Sequence, residues 1–139
     1  MIDLRIAIDE LDLDKINRLI EVLTDDTLLD RPSAILYNRI RTYYMNETDI
    51  TSHVRWKRSQ RAIRTDTNTL YDTGNLYRSI QLAKGQDNQR FIGTDVDYAK
   101  YHQEGKGDMH RPFLGWDDET SELMTLATIQ IVKERAGLL

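Results

Sequence analysis

The chain predicts an α+β fold, a small antiparallel β-sheet packed against N-terminal helices and a long C-terminal helix. Three observations lead there. Ile2, Leu4, Ile6 and Ile8 alternate with Asp3, Arg5 and Ala7, the period of a strand with one buried face. Apolar residues then recur every three or four positions in two N-terminal stretches and in one long stretch after Asp117, as on amphipathic helices. Between them lie two short β-type runs separated by Gly85-Gln-Asp-Asn, a turn sequence. Such an order describes helices on one side of an antiparallel sheet.

Taken along the chain, Ile2–Ile8 is the first strand, and Leu13, Ile16, Leu19, Ile20 and Leu23 form the buried stripe of a helix that frays near Thr24 to Asp26. Asp30-Arg31-Pro32-Ser33 signals a second helix, with a side chain capping free N–H groups and proline in the first turn. Ile35, Leu36, Ile40, Tyr43 and Tyr44 give it an apolar face. The stretch 46–69 is expected to be the most mobile, since Thr65-Asp-Thr-Asn is loop-like. A short helical turn after Gly74 hands over to a strand through Ile80 and Leu82, with Arg90–Asp95 as its hairpin partner. Tyr98–Glu104 reads as a short helix ended by Gly105, followed by an exposed loop. The last helix has Asp117, Asp118 and Glu119 at its start, Lys133 and Arg135 near its end and Gly137 after it, as the helix dipole favours. Leu123, Met124, Ala127, Ile131 and Val132 are its expected buried face.

At 139 residues, 1–139 is expected to be a single domain burying about two-thirds of its unfolded surface. With 40% hydrophobic and 30% charged residues the composition is that of a folded globular chain and argues against disorder. There is no cysteine, so neither a disulfide framework nor a thiolate metal site is expected, which suits synthesis in a reducing cytosol. The alternating start, with acids at Asp9 and Glu10, is not a signal-peptide pattern, and no run approaches the roughly 20 apolar residues of a membrane span, so no membrane contact is expected. A net charge of -4 argues against a general nucleic-acid binder.

Four features invite chemistry. Asp72-Thr73-Gly74 is the triplet that carries the catalytic carboxylate of aspartic proteases, and Phe91-Ile92-Gly93 imitates a later segment of those enzymes. They are nearly all β, however, whereas helical periods claim 12–45 and 117–135 here. The triplet therefore reads as a cap and turn, with Leu76 and Ile80 as core anchors. His102 and His110 have acids nearby but no metal-ligand spacing, so no metal or cofactor is expected, and His102 is read as a hydrogen-bonded residue beside Tyr98 and Tyr101. Arg111, Pro112, Phe113, Leu114 and Trp116 form an aromatic-arginine segment that either grips a partner or closes the core over the last helix. Arg55, Lys57, Arg58, Arg61 and Arg64 form a run without acids that is a solvated loop, a contact for an acidic protein or a contact for passing DNA, with Trp56 as an anchor. Gly105-Lys-Gly lacks the flanking residues of a phosphate loop.

In order, the chain offers Trp56; Leu70, Asp72, Thr73, Gly74, Leu76, Ser79 and Ile80; Gly93, Thr94, Tyr98, Ala99, His102, Gln103 and Gly105; and Arg111 to Gly115. This succession resembles the virion-morphogenesis or tail-completion proteins of tailed bacteriophages, the Mu-type family, over roughly the C-terminal two-thirds. The chain departs from the family pattern in a compact 56–70 segment and a short 105–110 loop. The resemblance implies a non-enzymatic protein of the virion neck or upper tail, made in the host cytoplasm. It implies a homo-oligomeric ring, hexamer or dodecamer, between head-connector and tail-terminator or tail-tube proteins, with DNA only as passing cargo. An aspartic-type homodimeric hydrolase and a small prophage-encoded binding module are the alternatives.

Overall fold

Tyr44 marks the centre of the molecule. Its ring is 1% exposed, and Trp56, Tyr77 and Phe113 meet it at centroid distances of 5.4, 5.3 and 5.8 Å. The computed structural model describes residues 13–71, 73–105 and 110–138, and the expected strand Ile2–Ile8 lies outside them. The described elements are α1 (Leu13–Thr24), α2 (Asp30–Met45), α3 (Gln60–Thr65), α4 (Asn75–Ser79), β1 (Gln81–Lys84), β2 (Arg90–Gly93), α5 (Ala99–Glu104) and α6 (Asp118–Ala136). The fold is α+β. Strands β1 and β2 pair antiparallel in the register Gln81 with Gly93 through Lys84 with Arg90, and α2 packs against both β1 and α6. Among the described residues no helix is long and apolar enough to cross a membrane.

Two apolar clusters divide the work. The larger joins Ile40 and Tyr44 of α2 to Ile50, Trp56, Leu76, Ile80, Ala99 and Phe113. Leu76 and Ile80, the expected anchors, are 2% and 1% exposed. The smaller cluster joins Val22 and Leu28 to Ile131, Val132 and Ala136, and so ties the α1 end of the molecule to the last turns of α6. Helix α6 is capped at both ends as its sequence suggests: the Asp117 carboxylate accepts from Thr120 N, and Gly137 takes a left-handed φ of 71°. Of its expected buried face, Ile131 and Val132 are buried, whereas Leu123 is exposed.

Three expectations need correction. The α1 stripe is not the buried face: Leu13, Ile20 and Leu23 are exposed and Val22 is buried, because α6 meets the Leu19–Val22 edge of the stripe. Asp30 does not cap α2. Leu29 is the N-cap residue and no side chain caps it, while the Asp30 carboxylate accepts from Arg90 of β2. Trp56 is no surface anchor, being 5% exposed. Its segment is closed by a bridge between Thr48 and Arg55 and by α3, whose N-cap Ser59 accepts from Ala62 N. The stretch read as mobile thus buries Ile50, Trp56, Ala62 and Thr69.

Candidate functional site

The stretches 70–80, 92–105 and 110–116, which carry most of the resemblance, come together, and several of their polar side chains bond to the protein's own groups. Gln103 of α5 accepts through Oε1 from both Phe113 N and Leu114 N, at 2.9 Å each, and donates through Nε2 to Leu114 O at 2.8 Å. Arg111 N donates to His102 O at 2.8 Å, and its Nε donates to Lys57 O at 2.9 Å. Trp56 Nε1 donates to Pro112 O at 2.9 Å. Ser79 and Thr94 share a hydroxyl–hydroxyl hydrogen bond of 2.6 Å. Each bond satisfies a backbone or hydroxyl group that the packing takes largely out of water, and together they tie 110–116 to 92–105 and to Trp56–Lys57, and 70–80 to 92–105.

Gly74 opens α4 at φ 75°, a left-handed conformation that calls for glycine, and a Cβ there would meet the end of the Arg78 side chain and the Tyr71 ring. Thr73 Oγ1 accepts from Asn75 N, and Arg78 donates to Thr73 O, which makes 73–75 a turn, while Gly74 is the N-cap residue of α4 and no side chain caps the helix. Asp72 lies outside the described residues. Gly105, at φ 89°, follows α5 and faces the His110 ring. Gly93 has open space where a Cβ would stand. Thr73, Gly74, Leu76, Tyr98, His102 and Arg111 from all three segments, with Ser59, border one cleft of about 360 Å³. Tyr98 stands edge-on to His102, with centroids 6.3 Å apart.

The aromatic-arginine segment splits between its two readings. Phe113 and Arg111 are 2% and 7% exposed and belong to the interior, while Trp116 is 61% exposed. The basic run splits likewise. Arg58 donates to Ala62 O and Thr67 O, Arg61 donates to Thr67 Oγ1 and Asn68 O, and Arg55 lies 3.5 Å from Glu47, so much of the run secures its own loop. Lys57 and Arg58 are exposed. Among the described residues no group of three or more His, Cys, Asp and Glu side chains is placed to hold a metal ion.

One polar cluster is not foreshadowed by any of these segments. Asp117, 8% exposed, receives His53 Nε2 at 2.7 Å and an Arg39 nitrogen at 3.5 Å while capping α6 through Thr120. Burial pushes its carboxyl up, but the Thr120 hydroxyl and amide, His53 and Arg39 together outweigh burial and hold it well below the usual aspartate value of 3.8. His53 is also stacked on Tyr43. The local signal was the Asp-x-x-Thr spacing, a capping pattern. Nothing local marks His53, 64 residues away. The Tyr44 hydroxyl, donating to Leu70 O at 2.6 Å, is pushed far up by burial and stays protonated.

Comparison with protein-family models, with curated proteins and with solved structures finds no match.

Proposed function

We propose that this chain is a structural virion protein of a tailed phage, a tail-completion or neck component that joins the tail to the head connector. It acts as one subunit of a homo-oligomeric ring around the DNA path. The succession of segments first suggests this role, and the observation that carries it is how their side chains are used. A catalytic constellation sets several groups around a position that a reacting atom will occupy. Gln103, Arg111, Trp56 and Ser79 instead end on the protein's own carbonyls, amides and hydroxyls. They fix a shape, which is what a subunit that repeats around an axis needs.

The exposed rings of Trp116 and Phe91 suit contacts with neighbouring copies or with the flanking connector and tail proteins. The net charge of -4 suits a wall that DNA passes without adhering. The experiment is to measure the mass of the purified protein in solution and locate it in intact particles by electron microscopy. A ring at the head–tail joint is the expected outcome. Absence from particles, with a small fixed oligomer in solution, would remove this reading.

A further inference from the structure

The cleft of about 360 Å³ where the three segments meet has Arg61, Arg111 and His102 among its described lining residues, and no acid. Arg111 is the unusual member. It is 7% exposed, yet the protein uses only its Nε, which donates to Lys57 O. Among the described residues its Nη1 and Nη2 meet no acceptor, and no carboxylate lies within ion-pair distance of its charge. The other arginines drawn away from water are treated differently: Arg90 is paired with Asp30, and Arg39 with Asp117 and Glu119. A buried guanidinium is costly unless its donors are bonded and its charge is balanced. Arg111 is thus incompletely satisfied by its own fold, and it stands in the wall of a cleft. Arg61, held by Thr67 Oγ1 and Asn68 O, brings a second guanidinium to the same wall.

We infer that this cleft binds a phosphate monoester, with Arg111 as the main residue that holds it. A phosphoryl group has three acceptor oxygens and close to two negative charges at neutral pH, and it matches the fork of a guanidinium. The Ser59 and Tyr98 hydroxyls and the Asn75 carboxamide border the same space as further donors. Leu70 and Leu76 give the cleft an apolar wall for the body of the ligand. The volume lies near the small end of ligand pockets, about 300–1,000 Å³. It therefore suits a small phosphorylated molecule rather than a nucleic-acid duplex, which the net charge of -4 also disfavours.

The test titrates the full-length protein with phenyl phosphate, inorganic phosphate and a short DNA duplex, each against sodium chloride at equal ionic strength. The readout is the NMR shift of the Arg111 Nε–H and of the Tyr98 and His102 amides. Saturable shifts at these groups are expected, with a Kd of roughly 1 mM or below for phenyl phosphate. Tighter binding of phenyl phosphate than of inorganic phosphate identifies a phosphorylated small molecule, and equal binding identifies free phosphate; either bears out the site. Arg111→Lys keeps the charge but loses the fork, and should weaken binding by about tenfold or more. Asn75→Asp leaves Arg111 in place and adds a negative charge at an exposed position on the cleft. It should weaken binding by about tenfold while leaving the thermal midpoint in chloride unchanged. Shifts that do not saturate, or that chloride reproduces, would overturn the inference. So would wild-type affinity in Asn75→Asp, or shifts that only the duplex produces.

Discussion

Gln103 holds Leu114 by both ends of its peptide: the carboxamide oxygen accepts from Leu114 N at 2.9 Å and the carboxamide nitrogen donates to Leu114 O at 2.8 Å. The same oxygen accepts from Phe113 N, so one side chain from α5 satisfies three backbone groups of the segment that leads into α6. Gln103→Ala should therefore cost about 2–4 kcal/mol, since each buried group left unpaired costs about 1–3 kcal/mol and water recovers part of it. Gln103→Glu keeps the acceptor but sets a carboxylate oxygen against the Leu114 carbonyl, and should fall between alanine and wild type. Urea midpoints at constant m-value measure both.

The elements that local chemistry marks are those the sequence made legible. The β1–β2 hairpin follows its turn residues, and α6 starts and stops at Asp117 and Gly137, whose caps depend on neighbours within a few residues. Burial was less legible because distant partners decide it. Trp56 sits among cations yet is buried, since Tyr44 and the Pro112 carbonyl receive its ring and its N–H. The Leu13–Leu23 stripe has helical period yet is largely exposed, since α6 meets its edge. Phe113 and Trp116 are three residues apart and equally apolar, and only the chain's path through the Gln103 clamp separates interior from surface. The His53–Asp117 pair spans 64 residues and leaves no local trace.

Two tryptophans in opposite settings give an optical readout. Trp56 is 5% exposed and Trp116 is 61% exposed. Trp116→Phe should leave a blue-shifted emission that acrylamide quenches weakly, with little change in stability. Trp56→Phe should leave a red-shifted, readily quenched emission and cost about 1–3 kcal/mol, from the lost donor to Pro112 O and the smaller ring. Equal quenching of the two single-tryptophan variants would contradict the described burial.

Asp66 closes α3 in the left-handed conformation, at φ 51° and ψ 47°, and its N–H donates to Ala62 O. A residue with a Cβ is strained there, and glycine is not. The side chain is exposed. Asp66→Gly should therefore stabilise the protein by about 0.5–1 kcal/mol, and Asp66→Ala should destabilise it, both read as shifts in the thermal midpoint.

Asp117 should make stability depend on acid. Its folded carboxyl is held below the usual value of 3.8, the net result of burial opposed by Thr120, His53 and Arg39. A depressed folded value means that the native state favours the ionised form, so the stabilisation is fully present above about pH 4 and is lost progressively as the pH falls below it. Asp117→Asn retains an acceptor for Thr120 but removes the charge that Arg39 and His53 approach. The variant should be less stable than wild type by about 1–3 kcal/mol at neutral pH. The difference should shrink steadily below about pH 4, as the wild-type carboxyl protonates and the two side chains become equally neutral. Urea midpoints of both proteins across that range test this, because carboxylates elsewhere titrate alike in both and cancel. A difference that stays constant down to about pH 2 would show that the contribution of Asp117 is its cap on α6, independent of its charge.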